Sequence, residues 1–556
     1  MTMRSVLRVA GCAMLLAMLP AAGQAQVAQV LTAPEASNYE QTTRYADVVD
    51  FMKVMASASP RIHLTTMGYT TEGRPLPLAI VGDVADASAQ AVMSSGKLRV
   101  YLQGNIHAGE VEGKESLLIL LREIAQNQHA AWLDSLVLIV APIFNADGNE
   151  RMALTNRPSQ HGPVGGMGTR ANAEDLNINR DHMKLDSPEA RSFALMWQRY
   201  DPHVGVDLHT TNGTRHAYHL TYSPPLHPNT DSTIVRVLRE SWLPQLTRNV
   251  KQKHGWDFYY YGNVSGQGEN QVWATFDHRP RFNNSYIGLR NRFGILSEAY
   301  AYATFQDRIQ ATSWFVEEIV DYAMRNTTAI RRTTEAADRA SIIGQEQAVR
   351  AERERTGPVQ ILMGEVTQDR NPFTGATMLR RADVVTPVQM WEEGTYTPTE
   401  TSRVPAAYVI PPIEQAAGGA GGRGGRGGRG GRGGRGGGDP LMDVIVRLRA
   451  HGVQVNELSA ERAIQLERFR IDSTTSGANP FEGRNERTVY GAWEAASAVT
   501  VPAGTYVVPM DQPLARLIFL LLEPRSDDGF TDWAILDRAI EGATHHPVLR
   551  SHAPLR

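Results

Sequence analysis

A continuous apolar run over residues 136–143, LVLIVAPI, is the feature that most constrains the fold of this chain. Such a run, without polar alternation, is typical of a strand buried on both faces in a parallel sheet. Other segments have strand or helix patterns: strands over 98–102, 203–208 and 293–297, and helices over 187–200, 230–252 and 306–326. The alternation predicts an α/β fold with a mixed, mainly parallel sheet sandwiched by helices.

An imidazole and a carboxylate follow the first of these strands. His107 and Glu110 lie between the strand at 98–102 and a helical pattern whose apolar face includes Leu117 and Leu121. Imidazole nitrogen and carboxylate oxygen are ligands of Zn²⁺, and a two-residue gap in a bent loop lets both reach one ion. A pair at this spacing also occurs by chance, so two unrelated loop side chains are the alternative interpretation.

Two further strand ends carry groups of the same kind, His209 and Glu298. Ligands collect at the carboxyl ends of strands in α/β sheets. Two histidines and one glutamate leave the fourth tetrahedral position of zinc open, as catalytic sites require. Burial would raise the pKa of Glu298 towards the value that suits a general base, although a structural carboxylate paired with arginine is equally compatible. His216 and His219 are rival ligands that lack the strand-end position.

Taken in order, these residues resemble the zinc carboxypeptidases of the carboxypeptidase A type. The resemblance covers about residues 40 to 330 and is carried by His107-x-x-Glu110, Asn145-Ala146-Asp147-Gly148, Asn177-Ile178-Asn179-Arg180, His209 and Glu298. It implies an enzyme that hydrolyses C-terminal peptide bonds and holds one Zn²⁺ per chain.

The resemblance also assigns roles to residues of this sequence. His107, Glu110 and His209 would hold the zinc ion. Glu298 would be the general base that activates water. Asn179 and Arg180 would bind the terminal carboxylate of the substrate, a task that suits the bidentate fork of a guanidinium.

Three positions depart from the family pattern or are ambiguous. Asn177 stands where the family usually has an aspartate that orients a zinc-bound histidine; an amide still accepts a hydrogen bond but carries no charge. For the arginine that stabilises the oxyanion, Arg157 is the first candidate and Arg170 the second. For the substrate-covering tyrosine, Tyr286 and the cluster at 259–261 are both candidates.

The N-terminus has the pattern of an export signal. Arg4 and Arg8 precede an apolar run over 9–19 that is too short to span a bilayer, and small residues before Gln26 suit cleavage there. Cys12 is the only cysteine, so the mature chain would form no disulfide. We therefore expect a periplasmic or secreted protein without a transmembrane segment.

The length of 556 residues accommodates two or more domains. The predicted organisation is a signal peptide over 1–25, a zinc carboxypeptidase-like catalytic domain over 26–329, a connecting helix over 330–355 and a C-terminal α/β accessory domain over 356–556. Near residue 330 the resemblance to the catalytic family is expected to end.

Five Arg-Gly-Gly units lie within residues 416–438, a composition that cannot bury a core and predicts a disordered insertion. Because 56 Lys and Arg residues are balanced by 59 Asp and Glu residues, we expect no nucleic-acid partner. The expected partner is a peptide or amide substrate, and the sequence leaves the oligomeric state open. Two alternatives remain: a zinc amidase or deacylase acting on cell-wall or other amides, and a catalytically silent scaffold that binds envelope polymers.

Overall fold

The computed structural model describes residues 27, 30–211, 213–412 and 440–555. The predicted signal peptide over 1–25 and the Arg-Gly-Gly insertion over 416–438 lie outside the described residues. None of the helices in the described parts of the chain combines the length and the apolar character that crossing a bilayer requires.

A mixed eight-stranded sheet forms the centre of the protein. In the described part of the chain, the strands up to residue 299 are β1 (Ile62–Tyr69), β2 (Pro75–Val81), β3 (Leu98–Gly104), β4 (Leu136–Ala141), β5 (Val204–Thr210), β6 (Leu220–Ser223), β7 (Phe258–Tyr260), β8 (Asn263–Ser265), β9 (Val272–Ala274) and β10 (Phe293–Ala299). The sheet order is β1-β2-β4-β3-β5-β10-β6-β7. The pairs β4–β3, β3–β5, β5–β10 and β6–β7 are parallel, and the other three are antiparallel. The predicted mixed, mainly parallel sheet is confirmed.

Helices flank this sheet, as the alternating pattern predicts. They are α1 (Ala33–Ala36), α2 (Tyr45–Ala58), α3 (Ala89–Ser94), α4 (Glu112–Ala125), α5 (Ala146–Glu150), α6 (Pro188–Tyr200), α7 (Ser232–Val237), α8 (Leu243–His254), α9 (Asn283–Leu289), α10 (Phe305–Arg325) and α11 (Thr327–Arg339). Helix α4 packs against α2 and α10, while α6 contacts β1 and α9 contacts β10.

Strands β3, β4 and β5 are neighbours in the middle of the sheet, and α4 begins close to the carboxyl ends of β3 and β5. Every residue of β3, β4 and β5 is buried, which explains why their sequences lack polar alternation. Gly113 lets α4 approach β5 closely, because a Cβ atom there would lie 2.6 Å from Leu208 Cβ. The loop with His107 and Glu110 is thereby held against the carboxyl ends of β3 and β5.

A long antiparallel hairpin, β11 (Glu346–Arg370) and β12 (Thr377–Arg403), follows α11. The prediction of a connecting helix over 330–355 is therefore wrong beyond Arg339. Gly344 has a φ of +79°, which a helix does not allow, and residues 346–355 pair with β12 instead. This pairing spans a long sequence separation, so the charged, helix-like local pattern does not reveal it. Strand β12 also pairs in parallel with β9.

The C-terminal region is rich in short strands. Its elements are β13 (Ala407–Ile410), α12 (Pro440–Ala450), β14 (Asn456–Glu457), β15 (Arg462–Leu466), β16 (Phe469–Ser476), β17 (Arg487–Trp493), β18 (Ser497–Val501), β19 (Tyr506–Pro509), α13 (Ala515–Leu522), α14 (Asp537–Ile540) and β20 (Leu549–Ser551). A four-stranded antiparallel sheet has the order β14-β19-β13-β20. One hydrophobic cluster joins Tyr286 and Phe193 to Leu448 and Phe530, so this region shares a core with the eight-stranded sheet.

Candidate active site

Three potential metal ligands meet where β3 and β5 end. Glu110 Oε1 lies 3.0 Å from His107 Nδ1, and Glu110 Oε2 lies 2.9 Å from His209 Nδ1. The two Nδ1 atoms are 3.2 Å apart. All three side chains are buried, and their ligand atoms lie within 4.8 Å of one another, which is the spacing that a single ion needs.

The far nitrogen of each imidazole is held by an oxygen atom. His107 Nε2 lies 3.1 Å from Asn177 Oδ1, the contact expected for an amide at that position. His209 Nε2 lies 2.7 Å from Asp207 Oδ2. Such partners fix the ring orientation and the proton position of a metal-bound histidine. The role of Asp207 was missed from the sequence, although residues i and i+2 of a strand share one face.

The electrostatics of this centre favour a cation. With each Nε2 donating to its oxygen partner, the two Nδ1 lone pairs face each other and require a proton or a metal ion between them. Burial lowers the pKa of His107 to about 3, with Glu110 opposing. Burial also opposes the charged form of His209, but Asp207 and Glu110 outweigh it and raise its pKa well above the usual value. Two imidazoles and a carboxylate are a donor set that fits Zn²⁺.

Arg157 contacts the ligand Glu110 from behind. Its Nη1 donates to Glu110 Oε1 at 2.7 Å, and its Nε donates to Gln160 Oε1 at 2.9 Å. A second hydrogen bond to Glu110, 3.1 Å long, comes from the backbone N–H of Thr210. These contacts orient the carboxylate towards the two histidines.

The structure places the two candidates for the arginine that faces a substrate oxyanion in different cavities. Arg157 lines a separate cavity beside Ser159 and Tyr302, whereas Arg170 lines the pocket in front of the ligand atoms. The side chain of Arg170 is 46% exposed, with Nη1 3.5 Å from Glu110 Oε1. The path of the loop determines which cavity each arginine lines, and the local sequence does not specify that path.

The pocket has a volume of about 180 Å³ and is lined by both polar and apolar groups. Its lining consists of His107, Glu110, Arg170, Asn179, Arg180, His209, Thr210, Tyr261, Phe276, Phe282, Leu296 and Glu298. The structure thus brings the predicted metal ligands, Glu298 and the Asn179-Arg180 pair to one cavity. The aromatic and leucine lining was not identified from the sequence, because it comes from loops and strands far apart in the chain.

Arg180 is a cation with no acidic ion-pair partner among the described residues. Its Nη1 donates to Asn179 O at 2.6 Å, and its guanidinium carbon lies 3.8 Å from the centre of the Phe282 ring. Burial lowers the pKa of Arg180 to about 10, and Arg170 and Arg281 act in the same direction. Among the residues that the structure describes, no carboxylate lies within ion-pair distance of it.

Glu298 lies beside His209, its partner in the parallel pairing of β10 with β5. Its Oε2 is buried and has no hydrogen-bond partner among the described residues. Burial raises the pKa of Glu298 to about 8; His209 opposes this shift and Glu110 adds to it. No arginine within the described segments pairs with Glu298. The alternative, a structural carboxylate in a salt bridge with arginine, is therefore not supported.

Tyr286 is a core residue, which contradicts its prediction as a substrate-covering side chain. It is fully buried on α9, and its hydroxyl lies 2.9 Å from His451 Nδ1. Of the alternative cluster at 259–261, Tyr261 lines the pocket and accepts a 2.9 Å hydrogen bond from Asn263 Nδ2. The helix that contains Tyr286 turns this residue towards the shared core, an orientation that the sequence pattern does not specify.

The rival histidines lie elsewhere. His216 packs against the ring of Tyr300 with ring centres 4.4 Å apart, and His219 stacks on Trp256 at 4.1 Å. Neither belongs to the group of ligand atoms formed by His107, Glu110 and His209.

Known proteins that are similar to this chain are named as carboxypeptidases. Residues 48–234 match the family model for zinc carboxypeptidase. Carboxypeptidase 2 of Trichophyton tonsurans is 24% identical over 540 residues, covering 91% of this chain and 86% of that protein, and Carboxypeptidase 2 of Trichophyton rubrum is 23% identical over 533 residues with the same coverage. A solved metallo-carboxypeptidase from Burkholderia cenocepacia is 15% identical with a TM-score of 0.39, covering 51% of this chain and 70% of that one. The fungal proteins match most of the chain, whereas the family model matches residues 48–234.

Proposed function

We propose that this chain, a zinc-dependent metallocarboxypeptidase of the zinc carboxypeptidase family, is exported and removes C-terminal residues from peptides in the pocket described above. The observation that carries the proposal is Arg180, a pocket-lining cation with no carboxylate partner among the described residues. A desolvated charge is stabilised by an opposite charge, and a terminal carboxylate matches the guanidinium fork.

His107, Glu110 and His209 would hold the zinc ion. When bound, Zn²⁺ supplies a Lewis acid that polarises the scissile carbonyl and acidifies water. Asn177 and Asp207 keep both Nε2 atoms occupied, which leaves the two Nδ1 atoms as the nitrogens that would hold the ion. Arg157 holds Glu110 in place from behind.

Glu298 would act as the general base. Its free Oε2 can take a proton from the attacking water and return it to the leaving amine, which conserves protons over the cycle. Because burial raises the pKa of Glu298, its carboxylate is a stronger base than that of an ordinary glutamate near neutral pH.

Arg170 would stabilise the negative charge on the carbonyl oxygen, in place of Arg157. It lines the pocket beside the ligand atoms, and partial exposure lets its side chain adjust to a substrate. A donor aimed at a developing oxyanion typically contributes about 3 kcal/mol to the transition state.

The side chain of the residue removed would be apolar. Phe276, Phe282 and Leu296 line the pocket together with Tyr261. The acidic residues of the lining, Glu110 and Glu298, are assigned to the metal and to proton transfer, which leaves no carboxylate to pair with a basic substrate side chain. Peptides ending in phenylalanine or leucine are therefore the expected substrates.

Export is proposed from the sequence of residues 1–25. Protein recovered from the periplasm or medium of the expressing cells should begin at Gln26. Recovery of the uncleaved chain from the cytoplasm alone would contradict export. It would not bear on the proposed catalytic mechanism.

The test combines metal analysis with peptide trimming. Wild type and Glu298→Gln are purified, zinc is quantified, and release of C-terminal residues is followed for one peptide with a free and with an amidated carboxyl end. We expect one zinc per chain in both proteins, trimming of the free peptide by wild type only, and no trimming of the amidated peptide. Glu240→Gln, at an exposed position, serves as the matched control and should trim normally.

Each alternative predicts a different result. Hydrolysis of amidated and free substrates at equal rates would favour the amidase. Bound zinc without hydrolysis of any substrate would favour the scaffold. Protein that retains no zinc after dialysis into zinc-containing buffer would contradict the proposed metal site.

A further inference from the structure

A tight turn of the C-terminal region projects towards the active site. Phe481 and Arg484 exchange two backbone hydrogen bonds of 2.8 and 3.1 Å, and the two residues between them, Glu482 and Gly483, have φ values of +47° and +81°. Positive φ at both central positions defines a type I′ turn, which favours asparagine, aspartate or glycine. A glutamate there is strained, and strained residues cluster at functional sites.

The strained glutamate contacts the backbone of the substrate-binding segment. Glu482 Oε2 accepts a 2.7 Å hydrogen bond from the N–H of Asn177. The side-chain oxygen of Asn177 faces both His107 Nε2 and the N–H of Asn179, each at 3.1 Å. One asparagine thus connects a metal ligand with the residues that would bind the substrate carboxylate, and Glu482 fixes its backbone.

The turn is anchored on both sides. Arg484 forms a bidentate ion pair with Asp186, with N···O distances of 2.6 and 2.7 Å. The Phe481 ring stacks on Trp533 with ring centres 6.0 Å apart. These contacts keep the turn in place independently of Glu482, so its carboxylate can be changed without removing the turn.

We propose that Glu482 is a positioning residue of the active site, supplied by the C-terminal region. By holding the N–H of Asn177, it sets the orientation of His107 and the placement of Asn179 and Arg180 at the same time. The C-terminal region is then part of the catalytic unit. The assignment of substrate binding rests on the function proposed above, whereas the effect on the metal does not.

Three variants separate this role from a purely structural one. Glu482→Asn places in the turn a residue that tolerates positive φ, but its side chain is one methylene shorter and does not reach Asn177. Glu482→Gln keeps the length and an acceptor oxygen. Glu461→Ala, at an exposed position of the same region, is the control.

The readouts are zinc affinity of the apoprotein by chelator competition, KM and kcat on a peptide with a free carboxyl end, and the unfolding temperature. For Glu482→Asn we expect an unfolding temperature no lower than that of wild type, a zinc affinity about tenfold weaker and a raised KM. Glu482→Gln should restore most of both losses, and Glu461→Ala should match wild type.

Wild-type zinc affinity and KM in Glu482→Asn would overturn the proposal, as would losses that accompany a lower unfolding temperature in both variants. Losses in both variants at an unchanged unfolding temperature support it and assign the effect to the carboxylate charge. If the wild type trims no peptide, the proposed function fails, and the zinc competition still decides the role of Glu482.

Discussion

The two sides of the pocket are built in different ways. The metal side consists of His107, Glu110, His209 and Glu298, which lie at or directly after strands whose register is fixed by the β3–β5 and β5–β10 pairings. The substrate side consists of Arg170, Asn179, Arg180, Tyr261 and Phe282, which lie in loops, in the short 3₁₀ helix Ile178–Arg180 or beside α9. Sheet pairing therefore positions the first set, and loop contacts position the second.

The substrate side is held by distant parts of the chain. The backbone N–H of Asn177 donates to the carboxylate of Glu482, and Arg281, next to the pocket residue Phe282, pairs with Asp528 and Asp532. Metal binding should therefore depend mainly on the sheet, with a smaller contribution from Glu482 through Asn177, while substrate recognition should depend more strongly on the C-terminal region.

Removal of a metal ligand should have the largest effect. We expect His209→Ala to lose stoichiometric zinc and to trim peptides at background rate, because two remaining ligands do not hold the ion against dialysis. Asp207→Asn, which alters only the partner of His209, should weaken zinc binding by about 10- to 100-fold. Zinc analysis and peptide assays measure both, with His552→Ala at an exposed position as control. Stoichiometric zinc in His209→Ala would show that the ligand set is assigned incorrectly.

Substitutions of the two arginines near Glu110 should affect the two sides of the pocket differently. Arg170→Ala should lower kcat by about 100- to 1000-fold with zinc retained, because an oxyanion donor is lost. Arg157→Ala should weaken zinc binding by about 10- to 100-fold and leave kcat close to wild type when zinc is saturating. Steady-state kinetics with and without added zinc distinguish the two, and the reverse result would restore Arg157 as the oxyanion donor.

The same division explains what the sequence predicts. His107, Glu110, His209 and Glu298 follow apolar strands, and the carboxyl ends of neighbouring parallel strands converge, so their proximity follows from the pattern. The contact between Asn177 and a ligand histidine was likewise expected from the motif.

The choices that the sequence leaves open or predicts wrongly depend on loops or on long-range pairing. Arg157 and Arg170 lie in a Gly- and Pro-containing loop whose path decides which one reaches the pocket. Tyr286 belongs to a helix that turns it into the core shared with the C-terminal region. Residues 346–355 form a strand only because residues 392–403 are available to pair with them.

Substrate recognition should respond to the shape of the cation at position 180. Arg180→Lys keeps the charge but loses the planar fork, so KM for a peptide with a free carboxyl end should rise by about tenfold. The zinc content and the unfolding temperature should not change. Arg215→Lys, at an exposed position, is the matched control. An unchanged KM would show that the guanidinium does not recognise the substrate carboxylate, and it would count against the proposed specificity for peptide ends.

A charge added behind His107 should strengthen the metal side modestly. Asn177→Asp keeps an oxygen that accepts from both His107 Nε2 and the N–H of Asn179, and its negative charge makes the imidazole a better ligand. We expect zinc affinity to increase by about three- to tenfold, measured by chelator competition. Weaker binding would indicate that the geometry of this contact, set by the backbone of Asn177, matters more than its charge.

The smallest expected effect is on the pH dependence of stability, through the ion pairs of Arg281 with Asp528 and Asp532. Burial raises the pKa of Asp532 to about 8 and that of Asp528 to about 6, although Arg281 opposes both shifts. Both values lie above that of an unfolded aspartate, so the stability linked to these protons is complete at low pH and is lost as pH rises through 6 to 8. Between pH 6 and 9 the unfolding temperature of wild type should fall by about 2 to 4 °C more than that of Asp532→Asn. Asp472→Asn, at an exposed position, should retain the wild-type pH dependence, and equal slopes in all three proteins would show that this buried cluster does not titrate in the folded state.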